Sequence, residues 1–99
     1  MSRSIRLLRR AQNDLIEIRN YVRRDRPIAA DRLVEKVLER IESLERLPDR
    51  GVVPRDDRLR RLGYRVLIVS DDLIFYKILP EQVRVYRILH GRRKYSHLI

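Results

Sequence analysis

Tyr64 to Leu89, YRVLIVSDDLIFYKILPEQVRVYRIL, is the stretch that decides the fold. Its apolar residues are mostly β-branched or aromatic and fall into three runs, Tyr64–Val69, Leu73–Leu79 and Val83–Leu89. Side chains of that kind suit a pleated, half-buried surface. Ser70-Asp71-Asp72 and Pro80-Glu81-Gln82 separate the runs and carry turn chemistry. Short turns join antiparallel neighbours, so a three-stranded meander is expected. One face of that sheet then has to accommodate Arg65, Lys77, Arg84 and Tyr86. Which way each points depends on register, because a slip of one residue reverses a strand's faces.

Upstream the period changes. Ala11, Leu15, Ile18 and Val22 recur at helical spacing from about Arg10, and Arg23-Arg24-Asp25-Arg26 followed by Pro27 ends that helix. Pro27 also suits the first turn of the next one. There Ala30, Val34, Val37, Ile41 and Leu44 form one row, widened by Leu33, Leu38 and Leu47. Glu42 precedes Arg46 by four residues, the orientation that favours an exposed ion pair. Pro48 and Gly51 close the run, and residues 48–62 read as a loop. Ser4 to Leu8 reads as a short strand. The expected class is α+β in the order β-α-α-β-β-β. A helical hairpin packs on one face of a small antiparallel sheet, and residues 1–99 form a single domain.

Ninety-nine residues bury an adequate core without staples, and the chain has no cysteine. A disulfide framework and a thiolate metal site are thereby excluded, and a reducing, cytoplasmic setting is expected. MSRSIRLLRR is interrupted by arginine and does not resemble a signal-peptide core. The formal net charge is +10, from 24 basic and 14 acidic residues. No acidic residue follows Glu81, whereas Arg84, Arg87, Arg92, Arg93 and Lys94 all do. A field of that sign favours an anionic partner, and arginine favours bidentate contact with carboxylate or phosphate.

Several segments together resemble the RelE/ParE superfamily of bacterial toxins. They are AQNDLIEIRNYV (11–22), the helix end Leu44-x-x-x-Pro48-x-x-Gly51, GYRVLIVSDDLIFYKI (63–78) and the closing Arg87-Ile88-Leu89-His90-Gly91. The resemblance covers nearly the whole chain and implies the toxin half of a type II toxin–antitoxin pair. RelE-type members are implied to cut messenger RNA on the ribosome, with arginines and lysines on the sheet and a late tyrosine. ParE-type members are implied to act on DNA gyrase. Here Leu73 stands where the RelE-like strand carries arginine, and Arg65 and Leu67 stand for its two lysines. Arg93 matches, and Tyr95 lies only near the expected tyrosine, whose own place is taken by Ile99. The set is incomplete for a reaction that must stabilise a charged phosphorane and move two protons.

The expectation is therefore a ParE-like gyrase inhibitor that works by contact and needs no cofactor or metal. Arg58, Arg60, Arg61, Arg87, His90, Arg92, Arg93, Lys94 and Tyr95 are the candidate target-contacting residues. An acidic, partly disordered antitoxin segment is expected on Leu15, Ile18, Tyr21, Val22, Leu33, Val37, Arg65, Lys77 and Arg84. Were the chain a RelE-like nuclease, Arg65, Arg93, His90 and Tyr95 would carry the chemistry. A third reading is a non-toxic basic domain that binds nucleic acid. No carboxylate neighbours His90 or His97 in sequence to orient either ring, and no metal-ligand spacing is present.

Overall fold

The computed structural model describes residues 3–91 and residue 99. Strand β1 spans Ser4–Leu7, helix α1 Arg9–Arg23 and helix α2 Pro27–Glu42. A short helix α3 covers Asp57–Arg61, and strands β2, β3 and β4 cover Tyr64–Val69, Asp72–Ile78 and Gln82–His90. The expected order β-α-α-β-β-β holds apart from the short α3 added ahead of β2. Arg26 precedes α2 and Pro27 opens it, as proline's fixed φ allows.

The sheet order is β1-β4-β3-β2. β2, β3 and β4 form the antiparallel meander. β1, however, lies parallel to β4, with Ser4 opposite Gln82 and Leu7 opposite Val85. The sheet is therefore mixed where a wholly antiparallel one was expected. Parallel neighbours need a long crossover, and everything between residues 8 and 81 supplies it.

α1 and α2 cover one face. Ala11 and Leu15 of α1 and Val37 and Ile41 of α2 pack on Leu67, Ile74, Tyr76, Val85 and Ile88 of the sheet. Each valine, leucine or isoleucine among these, when fully buried, contributes about 1.5–3 kcal/mol. Leu38 and Leu47, expected to widen the buried row, are exposed. α2 stops at Glu42 and tightens into a single 3-10 turn, Ser43–Glu45, earlier than the apolar spacing predicts. Among the described residues no Glu42–Arg46 ion pair forms, because the helix that would align them has already ended.

Residues 48–62 are more ordered than a loop. Pro48–Arg50 makes a 3-10 turn, and Val52 bridges Val66 on β2. Asp56 caps α3 by accepting the Leu59 N–H at 2.9 Å. Leu59 is thereby driven, fully buried, into a second cluster on the other face of the sheet, with Tyr64, Val66, Phe75 and Leu89. Both faces of β2 and β3 thus carry apolar rows, which is why their runs read as continuous.

Candidate functional site

Three arrangements on this frame carry polar chemistry. The first is at the edge of β4. β1 ends at Leu7, so β4 has no neighbour on that side beyond Val85. There the register shifts against β3, Tyr76 facing Val85 and Phe75 facing Arg87, which leaves Tyr86 as the bulged residue. Asp14 of α1 closes the exposed edge. Its carboxylate accepts Arg87 Nε at 2.7 Å, Arg87 Nη2 at 3.0 Å and the Ile88 N–H at 3.0 Å. The hydrogen bonds that Arg87 donates to Asp14 hold its guanidinium above the ordinary pKa despite burial. Arg87 was expected to contact the target; instead it is 9% exposed and holds the fold together. Asp14 went unrecognised as a functional residue. Its signal was a carboxylate three residues after Ala11, on the buried stripe of α1.

The second arrangement is a groove of about 790 Å³ between the helices, the β2–β3 turn and the end of β4. Ile18, Tyr21, Val22 and Leu33, all expected to meet an antitoxin, line it. Leu15 and Val37, in the same expected set, do not: they are buried in the core beneath. At the turn end stand Asp71, Asp72 and His90. Asp72 faces His90 across the strands, with Nδ1 of the histidine 3.6 Å from its carboxylate. The ring therefore does have a carboxylate beside it, supplied by strand pairing and invisible to sequence neighbourhood. Burial raises the Asp72 pKa, and His90 offsets part of that rise.

The third arrangement is the sheet face away from α1 and α2. Arg6, Arg84 and Lys77 stand abreast on β1, β4 and β3, in register with Tyr64 on β2. Neighbouring strands lie about 4.8 Å apart, so three like charges are aligned at a cost. Lys77 relieves part of it: its ammonium sits 4.5 Å from the Tyr64 ring centre and 5.2 Å from that of Tyr86. The two rings meet edge to face, 5.2 Å apart. Burial raises the Tyr64 pKa, Tyr86 adds to the rise, and Arg58 counters it. Leu8, Arg10, Tyr64, Tyr86, Arg87 and Ile99 surround a smaller hollow of about 380 Å³ here.

Arg65 does not belong to this face. It points to the helix side of β2 and donates to the carbonyls of Asp49 and Gly51 at 3.1 and 2.9 Å. Beside it the Tyr76 hydroxyl donates to Pro48 O at 2.6 Å and accepts the Gly51 N–H at 2.9 Å. Burial raises the Tyr76 pKa. A Cβ on Gly51 would come within 2.5 Å of that hydroxyl, so the Pro48-x-x-Gly51 motif is a packing requirement. Leu67 likewise faces the helices, whereas Leu73 lies on the opposite side. The positions compared with nuclease residues therefore do not share one face. Arg65 and His90 stand at opposite ends of the sheet, two strands and about four residues apart, roughly 15–20 Å.

On α3, Arg58 donates to the Ile99 carbonyl at 3.1 Å, bringing that helix to the last residue. Arg60 pairs with Asp57, and Arg61 is exposed. Arg92, Arg93, Lys94 and Tyr95, with His97, lie outside the described residues. Among the described residues no group of three metal-ligating side chains assembles, and no helix is long and apolar enough to cross a membrane.

Residues 5–95 match the profile of the family described as the ParE toxin of the type II toxin–antitoxin system parDE. The chain is 32% identical over 93 residues to Toxin RelE3 of Caulobacter vibrioides, spanning 90% of this chain and 95% of that protein. The fold is similar to a chain of the chromosomal ParDE toxin–antitoxin system of P. aeruginosa, with a TM-score of 0.76 and 18% identity. That alignment covers 90% of this chain and 96% of the other. It is also similar to a chain of the RelBE2 toxin–antitoxin complex of Mycobacterium tuberculosis, with a TM-score of 0.67 and 20% identity over 91% of this chain and 99% of that one.

Proposed function

Since the chain belongs to the ParE toxin family of type II toxin–antitoxin systems, within the RelE/ParE superfamily, we propose that it arrests growth by holding DNA gyrase through protein contact. A cognate antitoxin neutralises it in the cytoplasm. The observation that carries this reading is the separation of Arg65 and His90, the two described members of the nuclease set. Arg65 is committed to the loop carbonyls of Asp49 and Gly51, and His90 stands at the other end of the sheet against Asp72. A phosphoryl transition state needs convergent donors, and these two do not converge.

The antitoxin reading is supported by the groove over α1, whose apolar wall is ready for an amphipathic segment. Acidic antitoxin residues meet Lys77 and Arg84 on the far sheet face, and target contact then falls to the cations of α3 together with Arg92, Arg93 and Lys94. Purified protein in excess over gyrase should block negative supercoiling of relaxed plasmid. Unimpaired supercoiling by gyrase in the presence of folded protein counts against the proposal.

A RelE-like messenger RNA endoribonuclease remains the second reading, favoured by one feature. Tyr64, Tyr86 and Lys77 form an aromatic and cationic platform able to stack bases and meet phosphates. Primer extension on transcripts from expressing cells separates the two. New cuts phased with codons, lost in Lys77→Ala, support cleavage; an unchanged transcript pattern supports gyrase.

A further inference from the structure

The groove over α1 carries a charge opposite to that of the protein around it. The chain has a net charge of +10. Among the described residues four carboxylates line the groove, those of Asp14, Glu17, Asp71 and Asp72, and Arg24 is the one lysine or arginine. Arg87 neutralises Asp14, which leaves three. Lys36 stands at the same turn, its ammonium donating to Ser70 Oγ at 3.3 Å, and His90 faces Asp72. With both Arg24 and Lys36 counted and the histidine neutral, the described residues of the site still keep an excess of one negative charge. A uniformly acidic segment laid here would bring its carboxylates against Glu17, Asp71 and Asp72.

We propose that the groove takes an amphipathic helical segment of a protein partner that carries an arginine or lysine at one end, where it meets Glu17, Asp71 and Asp72. The proposal rests on the antitoxin reading and deepens it by naming the chemistry of the docking segment. Ile18, Tyr21 and Val22 recur at i, i+3 and i+4 along α1, and Tyr21 is 73% exposed, so they offer a ridge for the apolar face of a second helix. The carboxylates of Glu17, Asp71 and Asp72 set the direction in which that helix lies and reject a partner that carries a carboxylate there. The partner is thus divided in charge: a cationic anchor for this groove, with acidic residues reserved for the cations of the far sheet face.

The test uses three labelled amphipathic peptides with identical leucine spacing, differing at one terminal position as Arg, Gln or Glu, with each end tried in turn. Fluorescence anisotropy against the full chain at low salt should rank Arg over Gln over Glu. The Arg and Glu peptides should differ about five- to tenfold, as for a partly exposed ion pair set against a like-charge contact. Glu17→Gln with Asp71→Asn should shrink that span to about twofold, and Tyr21→Ala should weaken all three peptides alike. Equal affinities that fall together in Tyr21→Ala overturn the cationic anchor and leave the docking site. Tighter binding of the Glu peptide overturns the charge assignment. If no peptide binds, the docking site and the anchor both fail.

Discussion

Replacing Asp14 with alanine tests how the edge of β4 is held. The carboxylate accepts two hydrogen bonds from Arg87 and one from the Ile88 N–H, and its side chain is 8% exposed. Deleting it removes the counter-charge from a guanidinium that is itself only 11% exposed. Breaking a buried pair in this way costs about 3–5 kcal/mol. Domains of this size have about 5–15 kcal/mol in total, so the variant should be at the margin of folding. In a domain of about 100 residues that corresponds to a fall in Tm of about 12–40 °C. Urea unfolding followed by circular dichroism gives the magnitude, and an unchanged slope with a lowered midpoint shows that the native state is what lost stability. Replacing both partners, Asp14→Leu with Arg87→Met, removes the buried charge altogether and should recover most of the loss. The residual deficit, about 1–3 kcal/mol, belongs to the unpartnered Ile88 N–H. A single variant within 1 kcal/mol of the parent, or a double variant no better than the single, would refute the reasoning.

Gly51→Ala should destabilise the chain by about 1–3 kcal/mol, since the added carbon meets Tyr76 Oη at 2.5 Å and Val66 O at 2.8 Å; calorimetry reads the shift. Tyr76→Phe relieves one of those clashes but abandons the Gly51 N–H and Pro48 O, and should itself cost about 1–3 kcal/mol by urea unfolding. For Asp72, burial lifts the folded-state pKa above 3.8, so the native state holds that proton more tightly than the unfolded chain does. Its contribution is therefore favourable at low pH and is lost as pH rises from 3.8 through the raised value. Measured across that window, the stability of the parent relative to Asp72→Asn should decline with rising pH and then level off; a rise would contradict the assignment. Arg60→Ala should change stability by less than about 0.5 kcal/mol, because the pair with Asp57 is solvent-exposed, at 52% and 73% of the two side chains.

Much of the architecture can be read locally. Helical spacing located Ala11, Leu15, Val37 and Ile41 in the core, and runs of β-branched and aromatic residues with turn residues between them located β2, β3 and β4. What could not be read is pairing across long separations. Nothing in Ser4–Leu7 names Gln82–Val85 as its parallel neighbour, and nothing beside His90 in sequence announces Asp72. The bulge at Tyr86 matters most: it interrupts the alternation in β4, so Arg87 reaches Asp14 while Arg84 stays beside Lys77. Arg65 was misassigned for a related reason. It directly follows Tyr64, and that single step carries it from the open face to the loop of Pro48 and Gly51. The groove was half legible. Its apolar wall follows from the stripe on α1, but its acidic end is assembled from a helix residue and a turn some fifty positions away, Glu17 and Asp71.

The seating of the first strand beside the last has a consequence for synthesis. While the ribosome is still making the protein, Ser4–Leu7 waits for Gln82–Val85, and Asp14 waits for Arg87. Both helices emerge with their sheet unmade, and contacts so distant along the chain also slow folding once translation ends. A nascent chain therefore cannot close this sheet, or the edge that Asp14 covers, before residues 82–87 have been made.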